Sequence, residues 1–471
     1  MDTTDTMYNK YVNNKISLSQ LLVYGIKNNW INLDNLEIDN NYYSSEEVFQ
    51  KLVSYIVDEI QDDSKFDKKV YHSMVDSGVL SGREICLLLY DQKVLKKKTS
   101  TYQKLQAGMI SPYSFLKSKI RSLEISAGDL GLTPCSCAVI VTDVKTGKVK
   151  ALTSYPSYDN NKFANSVDAD YYAKISTSSA SPLLNRATQQ KAAPGSTFKM
   201  VTATTALEEG IINPYTRIHD GVQFNKINKP WPKCWSTYSH GNINVSQAIQ
   251  HSCNYFFYEM GYRLGNGHNT LVDNEKGLSK LKKYADKYGL TEKSGIELPE
   301  AEPTFSDVDV VRSAIGQGSH SYTPVQMSRY VTTIANGGTC FDLTLIQKIK
   351  DAKSKTQDKK LSNVRNKLNF QSSTLTAIKT GMKNVVQAGS IKSLFNNVNV
   401  TVAGKTGTAQ ITNNEPNHAL FVSFAPYENP EISITVVIPN GFSSSNAAEL
   451  ASKVYQYYYD KSSRKKLMDG K

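Results

Sequence analysis

The chain has 471 residues, 39% hydrophobic and 21% charged, which is too long for one ordinary domain and suits a globular protein with a large core. Its net charge of +12 is scattered: the clusters Lys96-Lys97-Lys98 and Arg464-Lys465-Lys466 sit in no nucleic-acid motif and read as solvated surface. Six cysteines are no disulfide framework at this length, and no run of 18 apolar residues offers a membrane span.

Residues 1–125 read as helical and carry no catalytic signature. Ser44-Ser45-Glu46-Glu47 is a capping box opening a helix whose Phe49, Leu52, Val53, Ile56 and Ile60 form one apolar face. Ser81-Gly82-Arg83-Glu84 repeats the device before Leu87, Leu88 and Leu89. Ser111-Pro112 opens a third helix with Phe115, Leu116, Ile120 and Leu123 inward. This stretch is expected to be a structural or partner-binding subdomain, and residues 126–471 a second domain. Cys86, Cys135, Cys137 and Cys340 are expected as reduced, buried thiols.

From Cys137 the pattern turns strand-like through Asp143, with a turn at Lys145-Thr146-Gly147 and a return over Val149 to Ser154. Pro194-Gly195 then breaks the chain ahead of the helical run that ends at Gly210. Ser196 is expected in that helix's first turn, with Lys199 on the same face one turn up. A serine hydroxyl becomes a nucleophile only when a base takes its proton, and lysine serves only if burial or a second cation destabilises its ammonium. Later strands are expected over 398–402, 420–425 and 432–438, with a closing helix opened by Asn446. Strands from both ends with helices between imply an α/β sandwich around an antiparallel sheet.

Alone, Ser196-x-x-Lys199 is a weak signal, because a capped surface helix also contains it. Two later stretches add to it. His251-Ser252-Cys253-Asn254 supplies an S-x-N, and Lys405-Thr406-Gly407-Thr408 a K-T-G-T. In this order the trio resembles that of the penicillin-binding proteins. Asn185-Arg186-Ala187, and Ile315-Gly316-Gln317-Gly318 with Thr323-Pro324, resemble further family stretches. The likeness runs from about Cys137 to the C-terminus and is nearest to the class B, transpeptidase-only branch.

That resemblance implies the family's transpeptidase fold and a peptidoglycan D,D-transpeptidase acylated by β-lactams. Ser196 would be the nucleophile and Lys199 the proton acceptor. Ser252 would relay the proton, and Asn254 would hold the donor peptide. Lys405 would favour neutral Lys199 and attract the substrate carboxylate, to which Thr406 and Thr408 would offer hydroxyls. Gly407 would leave room for substrate on the strand edge, and the backbone N–H groups of Ser196 and Thr408 would form the oxyanion hole. No cofactor is implied for catalysis. The implied partners are stem peptides, β-lactams and, among wall-synthesis membrane proteins, a glycosyltransferase; nucleic acid is not among them. Class B members are normally held outside the cytoplasmic membrane by one N-terminal helix, so the chain is expected to be an ectodomain. The rival activities are a D,D-carboxypeptidase and a serine β-lactamase or β-lactam sensor; a non-catalytic scaffold is the rival from another class.

One feature lies outside the trio. Asp220, Cys234, His240 and Cys253 offer two thiols, an imidazole and a carboxylate, enough for a tetrahedral zinc shell. Cys253 would point away from the cleft if Ser252 and Asn254 point into it, so a metal would brace the S-x-N turn from behind. The spacing is no recognised zinc pattern, and small buried filler at Cys253 with a plain turn at His240-Gly241 is the alternative.

Overall fold

The computed structural model describes residues 4–34, 36, 43–61, 63–95, 100–122, 124–125, 135–353, 356–358, 363–409 and 416–469. Leu123 and the Lys96-Lys97-Lys98 cluster lie outside them. The chain forms two compact units, Met1–Leu130 and Gly131–Lys471.

The first unit is helical, and its helices start where side chains satisfy the first free N–H groups. Ser44 and Ser81 complete capping boxes with Glu47 and Glu84, opening Ser45–Ile60 and Gly82–Asp91. Ser111 caps Pro112–Arg121 with proline in its first turn. Ser17 and Gln20 form a further box ahead of Leu18–Lys27. The apolar faces close into two small cores, one around Cys86, Leu105 and Phe115 and one around Ile26, Val48 and Leu52. Ile56 and Ile120, expected inward, are instead exposed within this unit. Cores this small cover only the middle of each apolar stripe.

In the second unit, five antiparallel strands form one sheet in the order Val149–Tyr155, Cys137–Asp143, Ile432–Ile438, His418–Ala425, Ala403–Ala409. The strand Ile432–Ile438 is buried on both faces, which its near-continuous apolar run requires. Ser433 faces the helix Pro324–Ala335, where its hydroxyl lies 2.7 Å from that of Thr332. On the opposite face Tyr455 of the helix Ser444–Tyr459 donates to Ser423 at 3.0 Å. Ser423 pairs with Ile434, so the two helices cover opposite faces of the sheet.

Three local expectations are corrected. Residues 398–402 are not strand: asparagines at 396, 397 and 399 favour turns, and the strand begins at Ala403. The closing helix is capped by Ser443; Asn446 lies within its first turn and donates to Gly441 O at 2.9 Å. Cys135 is exposed and Cys137 half-buried, since both precede the fully covered part of their strand, whereas Cys86 and Cys340 are buried.

The buried hydroxyl pair gives a test. Thr332 donates to Ser328 O at 2.7 Å, so Ser433 is the donor to Thr332. Thr332→Val strands that donor and is expected to cost about 1–3 kcal/mol, whereas adding Ser433→Ala recovers part of the loss. A denaturant-unfolding double-mutant cycle measures both.

Candidate active site

The nucleophile candidate sits in a single 3-10 turn, Gly195–Phe198, which runs directly into the α-helix Lys199–Glu208. The sequence pattern gave α-helix from the start, but the tighter turn has a consequence. At three residues per turn, positions i and i+3 eclipse, so Lys199 stands over Ser196. Lys199 is fully buried, and its Nζ lies 2.8 Å from Ser252 O, 3.2 Å from Ser252 Oγ and 2.6 Å from Asn254 Oδ1. The Phe257 ring lies 5.5 Å away and helps to exclude water.

Lys405, also fully buried, reaches the same hydroxyl from the sheet: its Nζ donates to Ser252 Oγ at 2.9 Å and to Thr406 O at 3.0 Å. Ser252 therefore bridges two ammonium-bearing side chains, and it does so from a left-handed backbone conformation, φ +52°. Strain of this kind persists only where its surroundings fix it. Loss of water around Lys199 is the main reason its pKa falls to about 8. Burial, and then the charge on Lys199, hold Lys405 well below the ordinary lysine range.

Close backbone approach brings these segments together. Gly195 N donates to Gly316 O at 3.0 Å, and a Cβ on Gly316 would overlap the carbonyl of Gly195. A Cβ on Gly195 would lie 2.6 Å from Thr408 O. Both have positive φ, +49° and +78° for Gly195 and Gly316. Gly407 departs from expectation. A Cβ there would meet Thr197 Cγ2 at 2.8 Å and Pro194 O at 2.9 Å, so the missing side chain makes room for the nucleophile turn, not for substrate on the outer edge. Ser196, Ser252, Asn254, Thr406 and Thr408 then line one cleft of about 650 Å³.

Behind the cleft, Asp220, Cys234, His240 and Cys253 converge, their ligand atoms all within 4.8 Å of one another. Cys253 is completely buried and is not among the cleft residues, while its neighbours Ser252 and Asn254 reach Lys199. Asp220 Oδ2 lies 2.6 Å from His240 Nδ1, and Cys234 Sγ accepts the N–H of Asn254 at 3.3 Å. Burial works to raise the Asp220 carboxyl, but N–H donors from His240 and Val222 hold it below its usual range. Two soft sulfurs, an imidazole and a carboxylate are a donor set suited to zinc.

Sequence patterns missed Trp235 and Gln317 as cleft residues, although Gln317 stands in a quoted stretch and Trp235 follows Cys234 directly. Nothing in their spacing distinguishes a ring or amide facing the cleft from one facing solvent.

Gly407→Ala is expected to cost about 1–3 kcal/mol by overpacking, with part recovered by Thr197→Ser, which removes the methyl it meets. Denaturant titration of the single and double variants measures this.

Residues 137–456 match the family model described as penicillin binding protein transpeptidase domain. The peptidoglycan D,D-transpeptidase MrdA of Haemophilus influenzae is 32% identical over 355 residues, covering 68% of this chain and 52% of that one. The chain thus spans about half the length of the curated relatives it matches. Among solved structures, the complex of PBP2 with MreC from Helicobacter pylori aligns with TM-score 0.60 at 27% identity, over 69% of this chain and 60% of that one. The imipenem acyl-enzyme of penicillin-binding protein A from M. tuberculosis aligns with TM-score 0.59 at 25% identity, over 68% and 72%. With the family model spanning most of the chain and the three motif segments meeting in one cleft, the chain belongs to the penicillin-binding proteins through its transpeptidase domain.

Proposed function

We propose that this protein is a peptidoglycan D,D-transpeptidase that works through an acyl-enzyme on Ser196. The observation that carries the reading is the position of Ser252 Oγ, 3.2 Å from Lys199 Nζ and 2.9 Å from Lys405 Nζ, beside a serine one 3-10 turn from Lys199.

In this reading Ser196 Oγ attacks the carbonyl between two terminal D-alanines as its proton passes to neutral Lys199. Negative charge on the carbonyl oxygen is met by the backbone N–H groups of Ser196 and Thr408, one such donor being worth ~3 kcal/mol. The C–N bond breaks as a proton returns through Ser252 to the leaving nitrogen, and D-alanine departs. An amine of a second stem then attacks the ester, its proton passing by way of Lys199 to Ser196 Oγ as the ester C–O bond breaks and the cross-link forms. Asn254 holds the donor amide, and Thr406 and Thr408 receive the terminal carboxylate. That carboxylate would supply Lys405 with a counter-charge, and a Lys405 kept cationic by it would in turn push the proton off Lys199.

A D,D-carboxypeptidase would use the same groups with water as acceptor, and a β-lactamase would hydrolyse its own acyl-enzyme. Cross-linked dimers alongside released D-alanine favour the transpeptidase. We further propose that residues 126–471 are the catalytic domain and 1–125 a helical subdomain with structural or partner-binding work. The protein would act on the extracytoplasmic face of the membrane, with a glycosyltransferase and other wall-synthesis membrane proteins as partners. Two structural neighbours, a PBP2 in complex with MreC and a peptidoglycan synthase complex, support such partners. Asp220, Cys234, His240 and Cys253 would hold a structural zinc. The ion would fix the turn carrying Ser252 and Asn254, and it enters no bond-making step.

Three outcomes are expected. Ser196→Ala abolishes covalent labelling by a fluorescent penicillin, and mass spectrometry of the wild type places the adduct on Ser196; labelling that survives the substitution refutes the nucleophile. Because the base must be unprotonated, labelling rates rise with pH through about 8, the value held by Lys199, and a pH–rate profile reads this directly. Protein purified without chelator carries one zinc per chain by elemental analysis, and Cys234→Ser with Cys253→Ser removes it.

A further inference from the structure

We infer that Trp235 is the wall on which the substituent at the acyl side of the scissile bond packs, and that it thereby sets which acyl donors are preferred. The inference rests on the transpeptidase reading and adds to it a residue that lies outside the three motifs.

Trp235 is 65% exposed, yet it lines the same cleft as Ser196, Ser252 and Asn254. Its polar edge is fixed. The indole Nε1–H donates to His251 O and to Ser252 O, each at 3.1 Å. The ring also packs, tilted, against His240 with centroids 5.9 Å apart, and much of its remaining apolar surface is left in water. Burying such a surface is favourable, so a ligand that covers it gains affinity. The ring is also registered to the chemistry, because Ser252 O is the carbonyl that accepts from Lys199 Nζ at 2.8 Å. Its backbone is held from the other side, since the preceding residue, Cys234, accepts the N–H of Asn254.

Asn254 lines the cleft, with its Oδ1 2.6 Å from Lys199 Nζ, and in the proposed reaction it borders the donor amide. A substrate amide held there carries its next substituent along the turn 252–254, and the face of Trp235 borders that turn. The group that fits is apolar or aromatic: the hydrocarbon arm of a stem-peptide side chain, or the phenyl ring of a penicillin. A charged or very small substituent would leave the indole wet and gain nothing from it.

The test compares second-order acylation rates for benzylpenicillin and 6-acetamidopenicillanic acid. The two share nucleus and side-chain amide and differ in the phenyl ring. Intact-mass kinetics would be run on the wild type, Trp235→Phe and Trp235→Ala. The wild type is expected to prefer benzylpenicillin, Trp235→Ala to cut that preference about tenfold, and Trp235→Phe to keep most of it. If both compounds slow together with the preference intact, the ring only braces the turn and the inference is overturned. An unchanged preference at unchanged rates overturns it as well. A wild type that forms no adduct on Ser196 with either compound marks failure of the underlying reading, which the variant ratios do not test.

Discussion

Two buried lysines share one hydroxyl, and most of the second unit can be understood as the means of holding them there. Lys199 arrives on a helix and Lys405 on a sheet strand, and their amines meet at Ser252 Oγ. Placing two such groups out of water is costly, because each ammonium loses hydration and each repels the other. The local carbonyls of Ser252 and Thr406 and the amide oxygen of Asn254 offset part of that cost. In the proposed reaction the substrate's own carboxylate would stabilise the charged form of Lys405.

Holding that geometry takes contacts on three sides. Gly195, Gly316 and Gly407 remove the side chains that would keep the nucleophile turn away from the Gly316 loop and the Ala403–Ala409 strand. From the rear, the thiol, imidazole and carboxylate cluster grips Cys253, between the two residues that face Lys199. From the front, the indole of Trp235 takes the carbonyls of the same turn. A backbone bent to φ +52° at Ser252 is thus fixed by groups on either side of it.

Much of this was legible in the sequence, for reasons that differ by element. Capping boxes at Ser44 and Ser81 and the proline after Ser111 located helix starts, because capping is a local interaction that four residues define. The strands Cys137–Asp143 and Ile432–Ile438 matched their apolar runs. Motif order brought together Ser196, Lys199, Ser252, Asn254 and Lys405, but as a resemblance, since chain order alone carries no distance. Tertiary competition decided the rest. The 3-10 turn at Ser196 answers to packing by the glycine segments, and the outward Ile56 and Ile120 reflect cores too small to cover them. Gly407 was rightly singled out, but the neighbour it makes room for lies across the fold and leaves no trace in local spacing.

The sheet order has a consequence for how the molecule comes into being. Cys137–Asp143 pairs with Ile432–Ile438, so the central seam joins the first strand of the sheet to its last in chain order. Pairings this remote in the chain are slow to nucleate, because most of the entropy of looping is lost before they form. A polypeptide emerging in order from a ribosome would hold its first hairpin unsupported until Ile432–Ile438 arrives. The cleft would therefore come into existence late and all at once, and a nascent chain would have no assembled site until its last strand had docked.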